Sequence, residues 1–188
     1  DALPVGDRGT PNMHYLGSIP LGGFLHVADV EIEQELDRPY AYVSKRFRPS
    51  GMDIVSLEDP TNPKLIYSWR IENAELHQGS GALDGRYFKH EGRYYIVQST
   101  QFGAGGPNND LGAVVFDVTG LPDPSTVREV GRIRAPLTPG GFHNIFTYKH
   151  SDGRPLLFTT TNGPHANIYD LGLFLDGDPD YGLVGQVP

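Results

Sequence analysis

Short apolar runs, broken by polar or turn-forming residues, recur along the whole chain. Tyr40–Ser44 and Met52–Leu57 alternate with period two, which predicts half-buried β-strands and not helices. The runs fall into a repeat. A strand led by His is followed by a polar hairpin turn and an apolar strand. A third strand ends in an acidic or hydroxyl residue, then an Asp-Pro turn leads into a fourth strand. The first copy predicts strands at His26–Ile32, Tyr40–Ser44, Met52–Leu57 and Leu65–Ile71. The second begins near His77, with strands at Arg86–Lys89, Tyr94–Ser99, Ala113–Val118 and Val127–Arg134. The third begins at His143, with strands at Asn144–Tyr148, Leu156–Thr160, Ala166–Leu171 and Leu183–Val187.

Short matches support this alignment. Lys89-His90-Glu91-Gly92-Arg93 parallels Lys149-His150-Ser151-Asp152-Gly153-Arg154. Asp59-Pro60, Asp123-Pro124 and Asp178-Pro179 each precede a fourth strand. Pro fixes its own φ, and the Asp side chain bonds nearby amides, so the pair starts a turn. An extra strand is expected at His14–Ile19, because Tyr15-Leu16-Gly17-Ser18-Ile19 resembles Val130-Gly131-Arg132-Ile133.

Four-stranded units at such a period predict an all-β fold of propeller blades, about three of them, in a partial ring. Residues 1–13 read as an N-terminal extension and 14–188 as the partial propeller. The repeats span about 20–71, 77–134 and 142–187. A β-sandwich with fortuitously similar hairpins is the alternative, disfavoured by the repeated order of His, hairpin, Asp-Pro and closing strand. Propellers typically close with about 4–8 blades. The chain is therefore expected to be a fragment, or to have its ring completed by other segments.

Composition narrows the function. The chain has 24 Gly and 16 Pro in 188 residues, an excess that suits many turns. Its net charge is -8, and its densest basic stretch is the short Lys45-Arg46-Phe47-Arg48, which argues against nucleic acid. With no cysteine there are no disulfides, thiolate metal sites or thiol nucleophiles. No apolar run approaches the roughly 20 residues of a membrane helix, and no signal peptide is visible.

The segment Gly51-Met52-Asp53-Ile54-Val55-Ser56-Leu57-Glu58-Asp59-Pro60-Thr61-Asn62-Pro63-Lys64-Leu65 resembles the core of an LVIVD repeat, and Ala41-Tyr42-Val43 fits the preceding element of that repeat. The likeness is sharp in the first copy. The second departs from it at Gln101–Asp110 and the third at the longer Phe174–Asp180 loop. The resemblance implies a bacterial-type propeller, often exported to the periplasm or beyond, with no specific reaction.

Three sets of residues are candidates for chemistry. His26, His77 and His143 lie near the starts of innermost strands, where imidazoles converging on a propeller axis would bind a transition metal. His77 is out of register: aligning the Lys-His turns places Leu83, not His77, opposite His143. Asp176, Asp178 and Asp180 resemble the first half of a calcium loop, but the Gly comes late and the closing Glu is missing. The Gly-rich loop Phe102–Asp110 lacks the Lys and Ser/Thr of a phosphate loop, so Phe102, Pro107, Asn108, Asn109 and Asp110 read as a recognition loop. Gly79-Ser80-Gly81 is too short for a hydrolase nucleophile elbow. Trp69, Tyr40, Tyr42, Tyr67, Tyr94 and Tyr95 are expected to pack between blades.

The resulting expectation is a non-catalytic binding or scaffold protein outside the cytoplasm. It would present propeller loops to a protein partner, or pack against the remaining blades of the ring. The alternative is a metal-dependent oxidoreductase or hydrolase with His ligands at the axis.

Overall fold

The computed structural model describes residues 14–188; the expected extension over 1–13 lies outside them. The described residues form twelve strands. The first sheet holds β1 (Val27–Ile32), β2 (Tyr40–Lys45), β3 (Gly51–Ser56) and β4 (Lys64–Arg70). The second holds β5 (Gly81–His90), β6 (Arg93–Gln101), β7 (Leu111–Asp117) and β8 (Arg128–Arg134). The third holds β9 (Ile145–Lys149), β10 (Pro155–Thr160), β11 (Ala166–Asp170) and β12 (Leu183–Val187). Each sheet is antiparallel, with its strands side by side in chain order. The fold is thus all-β, with three four-stranded sheets.

Most predicted strands shift by a residue or two, but three expectations need correction. Residues 14–19 form no strand. Instead they lie against the β3–β4 turn so closely that a Cβ on Gly17 would come within 2.9 Å of the Thr61 carbonyl oxygen. The first strand of the second sheet starts at Gly81, neither at His77 nor at Arg86. The expected Phe174–Asp180 loop is entered through a short helix, α1 (Leu171–Leu175), whose first amides, on Gly172 and Leu173, bond the Asp170 carboxylate.

The Asp-Pro turns form as their chemistry requires. Asp59 accepts the Thr61 amide at 3.0 Å, Asp123 the Ser125 amide at 3.0 Å, and Asp178 the Asp180 amide at 3.1 Å. The β5–β6 hairpin turns on Glu91 and Gly92, both at positive φ, which suits a tight two-residue turn.

The sheets stack face to face, and strand alternation sorts the core into two seams. Tyr40, Tyr42, Met52 and Ile54 of the first sheet meet Ile96, Val114 and Phe116 of the second. Tyr95, Val97, Ala113 and Val115 point the other way, toward Ile145, Leu157 and Tyr169 of the third. The middle sheet is therefore apolar on both faces. Trp69, Tyr67 and Tyr94 join the first seam, while Tyr95 joins the second.

The first strands of the sheets, β1, β5 and β9, lie next to one another. Among the described residues each pairs with one strand, so half of its edge amides need partners from elsewhere. The neighbouring sheet supplies them. Asp29 accepts the Gly85 amide at 3.4 Å and Glu31 the Tyr87 amide at 3.3 Å. One sheet further on, Asp84 accepts the Ile145 amide at 2.8 Å. Asp29 and Asp84 both sit at register irregularities of their strands, between Val27 and Val30 and between Ala82 and Gly85. Such an irregularity turns a side chain away from plain alternation.

Candidate functional site

The strand order puts the β2–β3, β6–β7 and β10–β11 turns and the links into β5 and β9 at one end of the sheets. At that end the three first strands enclose a polar cleft of about 290 Å3, lined by Asp29, Arg46, Ser80, Asp84, Arg86 and His143. Asp29 and Arg46 come from the first sheet, Ser80, Asp84 and Arg86 from the second, and His143 from the approach to the third.

Arg86 is the centre of charge. Its Nη1 lies 2.8 Å from Asp29 Oδ2, 2.6 Å from Asp84 Oδ1 and 3.9 Å from Glu31 Oε2. The Asp84 contact is an ion pair off the hydrogen-bond axis. Asp84 is buried, and burial pushes its carboxyl up to about 6; the Ile145 amide opposes this, while the neighbouring Asp29 adds to it. Burial also acts on Asp29, but its bonds to Asp84, Arg86 and Gly85 hold it below the ordinary carboxylate range. Two acids with opposite displacements share one arginine, so the pair holds or releases a single proton near pH 6. Both carboxylates also bond strand-edge amides, so what this arrangement does is fasten the sheets in a proton-linked way.

On the cleft wall, the buried Nε of Arg46 has no hydrogen-bond partner among the described residues, and the guanidinium sits 4.5 Å from the Phe47 ring centroid. Phe47 holds φ 60 without being glycine, a strained conformation kept by its surroundings.

The three histidines of the expected metal set occupy separate environments. His26 packs against Gly22 and Gly23, near the Lys45 ammonium. His77 is buried between the first and second sheets, with Nε2 2.9 Å from the Glu72 carbonyl oxygen. His143 is exposed at the cleft, with Nδ1 3.1 Å from Gln101 Oε1. Among the described residues, no group of three or more His, Asp or Glu side chains is placed to hold a metal ion. The expected register holds: Leu83 and Asp84 precede Gly85 just as His143 and Asn144 precede Ile145.

In the acidic turn, Asp178 Oδ2 accepts the Asp180 and Gly182 amides at 3.1 and 2.9 Å, which closes the turn, while Asp176 and Asp180 stay exposed. The 102–110 loop is anchored. Phe102 is in the core, Asn108 accepts from Arg134 at 2.7 Å, and Asp110 pairs with the same arginine at 2.6 Å; Pro107 and Asn109 remain exposed.

Sequence reasoning missed Asp29, Asp84, Arg86 and Arg46. Asp84 and Arg86 do stand two apart, as do Asp29 and Glu31, but alternation alone does not bring the two strands together. Comparison of the chain with protein-family models and with curated proteins finds no match. Among the described residues, no helix is long and apolar enough to cross a membrane.

Proposed function

We propose that this chain is a run of β-propeller blades that serves as a binding scaffold outside the cytoplasm, holding a protein partner at the loop-bearing end. The observation that carries this reading is the repeated fastening of sheet to sheet. Asp29 bonds an edge amide of β5, and Asp84 bonds an edge amide of β9, so successive sheets follow one rule, as blades in a ring do. Further blades would continue the stack. On the outer face of the third sheet Phe146 is 60% and Tyr148 48% exposed, a pair of aromatics suited to another sheet. The likeness of residues 51–65 to an LVIVD repeat agrees with export.

The loop end suits a partner because rigid strands hold its loops. Leu137 there is 95% exposed, and Phe47 is exposed between Arg46 and Arg48. The test uses full-length protein as bait in the envelope fraction of its source. Leu137→Glu alters the loop end, and Leu36→Ser alters an equally exposed leucine at the opposite end. A partner kept by Leu36→Ser and lost by Leu137→Glu is the expected result. No partner, or equal retention by both variants, counts against the reading. A ring count from the structure of the full-length protein checks the propeller itself.

A further inference from the structure

Ten arginines lie among the described residues, and eight of them pair with an Asp or Glu carboxylate. The two without a carboxylate partner there are Arg46 and Arg48, on either side of Phe47 in the β2–β3 turn. The chain carries a net charge of -8, so carboxylates are not scarce. Two neighbouring arginines left unpaired are therefore a local positive feature on an acidic molecule.

The turn that carries them is tied down. Arg46 forms an antiparallel bridge with Gly81, and the Phe47 amide donates to the Ser80 carbonyl oxygen at 3.4 Å. Buried Ser50 donates from Oγ to the Lys45 carbonyl oxygen at 2.9 Å and accepts the Ala82 amide at 2.7 Å. Both ends of the turn are thus fixed, one to the other and to the link into β5. This fixing holds Phe47 at φ 60, which is unfavourable for a bulky residue, and leaves its ring 39% exposed. Strain of that kind persists where the surroundings impose it, and it collects at segments that contact ligands.

The two arginines have different surroundings. Arg46 lines the polar cleft, whose acids Asp29 and Asp84 are engaged by Arg86. Arg48 is exposed, and its one hydrogen bond among the described residues runs from Nη2 to the His77 carbonyl oxygen at 3.1 Å. A carbonyl does not neutralise a guanidinium. Phe47 and Arg48 also border a second cavity, of about 390 Å3, whose walls include Ile71, Ala74 and Phe102. Ligand sites measure roughly 300–1,000 Å3, so the cavity has room for an apolar side chain.

We infer that the β2–β3 turn is the contact for an acidic segment of the protein partner: a stretch of Asp and Glu that carries one aromatic or branched apolar side chain. The carboxylates pair with Arg46 and Arg48. The apolar side chain packs on Phe47 and enters the cavity beside it. Exposed aromatic residues and arginines are the types enriched where proteins meet. The inference rests on the reading of the loop end as a partner surface and adds the partner's chemistry.

The test follows fluorescence anisotropy as the full chain is titrated into a labelled peptide, Gly-Asp-Asp-Phe-Asp-Asp-Gly, at about 50 mM salt. Two counterparts carry Asn for every Asp, or Ser for Phe. The acidic aromatic peptide is expected to bind about tenfold more tightly than either. Arg46→Gln and Arg48→Gln should each weaken it about threefold, and together about tenfold. Lys64→Gln removes an exposed cation at the opposite end and should leave binding unchanged. In Phe47→Ser the preference for Phe over Ser in the peptide should shrink to within about twofold. Circular dichroism checks that each variant keeps its β signature, and the three wild-type affinities decide if one does not fold. Equal binding of the acidic and Asn peptides, no saturation below about 1 mM, or an equal loss in Lys64→Gln overturns the inference. Displacement of the peptide by oligodeoxythymidylate of matched charge also overturns it, and assigns the turn to a nucleic-acid backbone. An envelope partner lost by Leu137→Glu but kept by the double arginine variant would leave the scaffold reading standing and remove this inference alone.

Discussion

The two seams between the sheets use the same fastening at the inner edge and opposite means further out. In the first seam Arg38 crosses from the first sheet to the second. It donates to the Val118 and Thr119 carbonyl oxygens at 2.9 and 3.2 Å, pairs with buried Glu33, and stacks 4.0 Å from the Tyr94 ring centroid. The Tyr42 hydroxyl donates to the same glutamate at 2.6 Å. The second seam has no such charged crossing among the described residues. There Phe142 fills the space left by Gly112, where a Cβ would come within 2.3 Å of the phenyl ring, and Phe88 stacks on Tyr95 at 4.9 Å. Apolar burial stabilises without fixing direction, whereas a buried ion pair is costly unless its geometry is right. The first seam thus carries a positional constraint that the second obtains from shape alone.

Removing one partner of the buried pair is the strongest way to break this contrast. Arg38→Met leaves the Glu33 carboxylate buried and unpaired, and the loss is expected to be about 3 kcal/mol in urea unfolding. Arg38→Met combined with Glu33→Met gives the first seam the apolar character of the second. It should recover more than half of that loss, because the stranded charge is gone. A single-variant loss below about 1 kcal/mol would mean that the charged crossing does not hold the seam.

How much of this could be read from the chain depended on the range of each interaction. The Asp59, Asp123 and Asp178 turns were legible because donor and acceptor lie two residues apart. The strands were legible as short apolar runs between turns, but the half-burial expected at Tyr40–Ser44 and Met52–Leu57 does not hold, because β2 and β3 are covered on both faces. The helix at Leu171–Leu175 was missed because five residues are too few to display a helical period. A strand was expected at 14–19 because Gly17 sits in a stretch resembling a real strand, yet that stretch found packing there and no ladder. Arg38 meets Val118 across 80 residues, and nothing near Arg38 in sequence announces it. Asp29 and Asp84 were hidden by the irregularities that re-aim them, since alternation counts one residue per step.

Asp84 belongs to both seams, through Arg86 on one side and the Ile145 amide on the other. The fold raises its carboxyl from 3.8 to about 6, so the folded chain favours the protonated form. This contribution is full below about pH 4 and is lost as the pH rises through 6. Its size is about 3 kcal/mol. The third sheet has Asn144 at the matching position, and Asp84→Asn copies it. The amide can still accept from Ile145 and carries no charge to oppose Asp29. Stability measured from pH 4 to 7 should fall in the wild type relative to Asp84→Asn, with the variant more stable at pH 7. Taking that difference cancels other carboxylates, such as Glu72, which its hydrogen bond from Arg132 lowers to about 2. Parallel profiles would mean that Asp84 is not the titrating group.

The smallest expected effect asks whether the second seam depends on its inner-edge bonds at all. Thr147 donates from Oγ1 to the Tyr87 carbonyl oxygen at 3.0 Å, directly joining β9 to β5. Thr147→Val keeps the shape and removes that one bond, with an expected loss of about 1 kcal/mol or less. The carbonyl left behind lies at a partly buried edge, where water can reach it. Hydrogen exchange should then quicken in β9 while the amides of β6 and β7 stay protected, because Val97, Val115 and Leu157 still hold the apolar part of the seam. A loss above about 2 kcal/mol, with β6 and β7 also opening, would assign the second seam to its edge bonds. The two seams would then differ less than their side chains suggest.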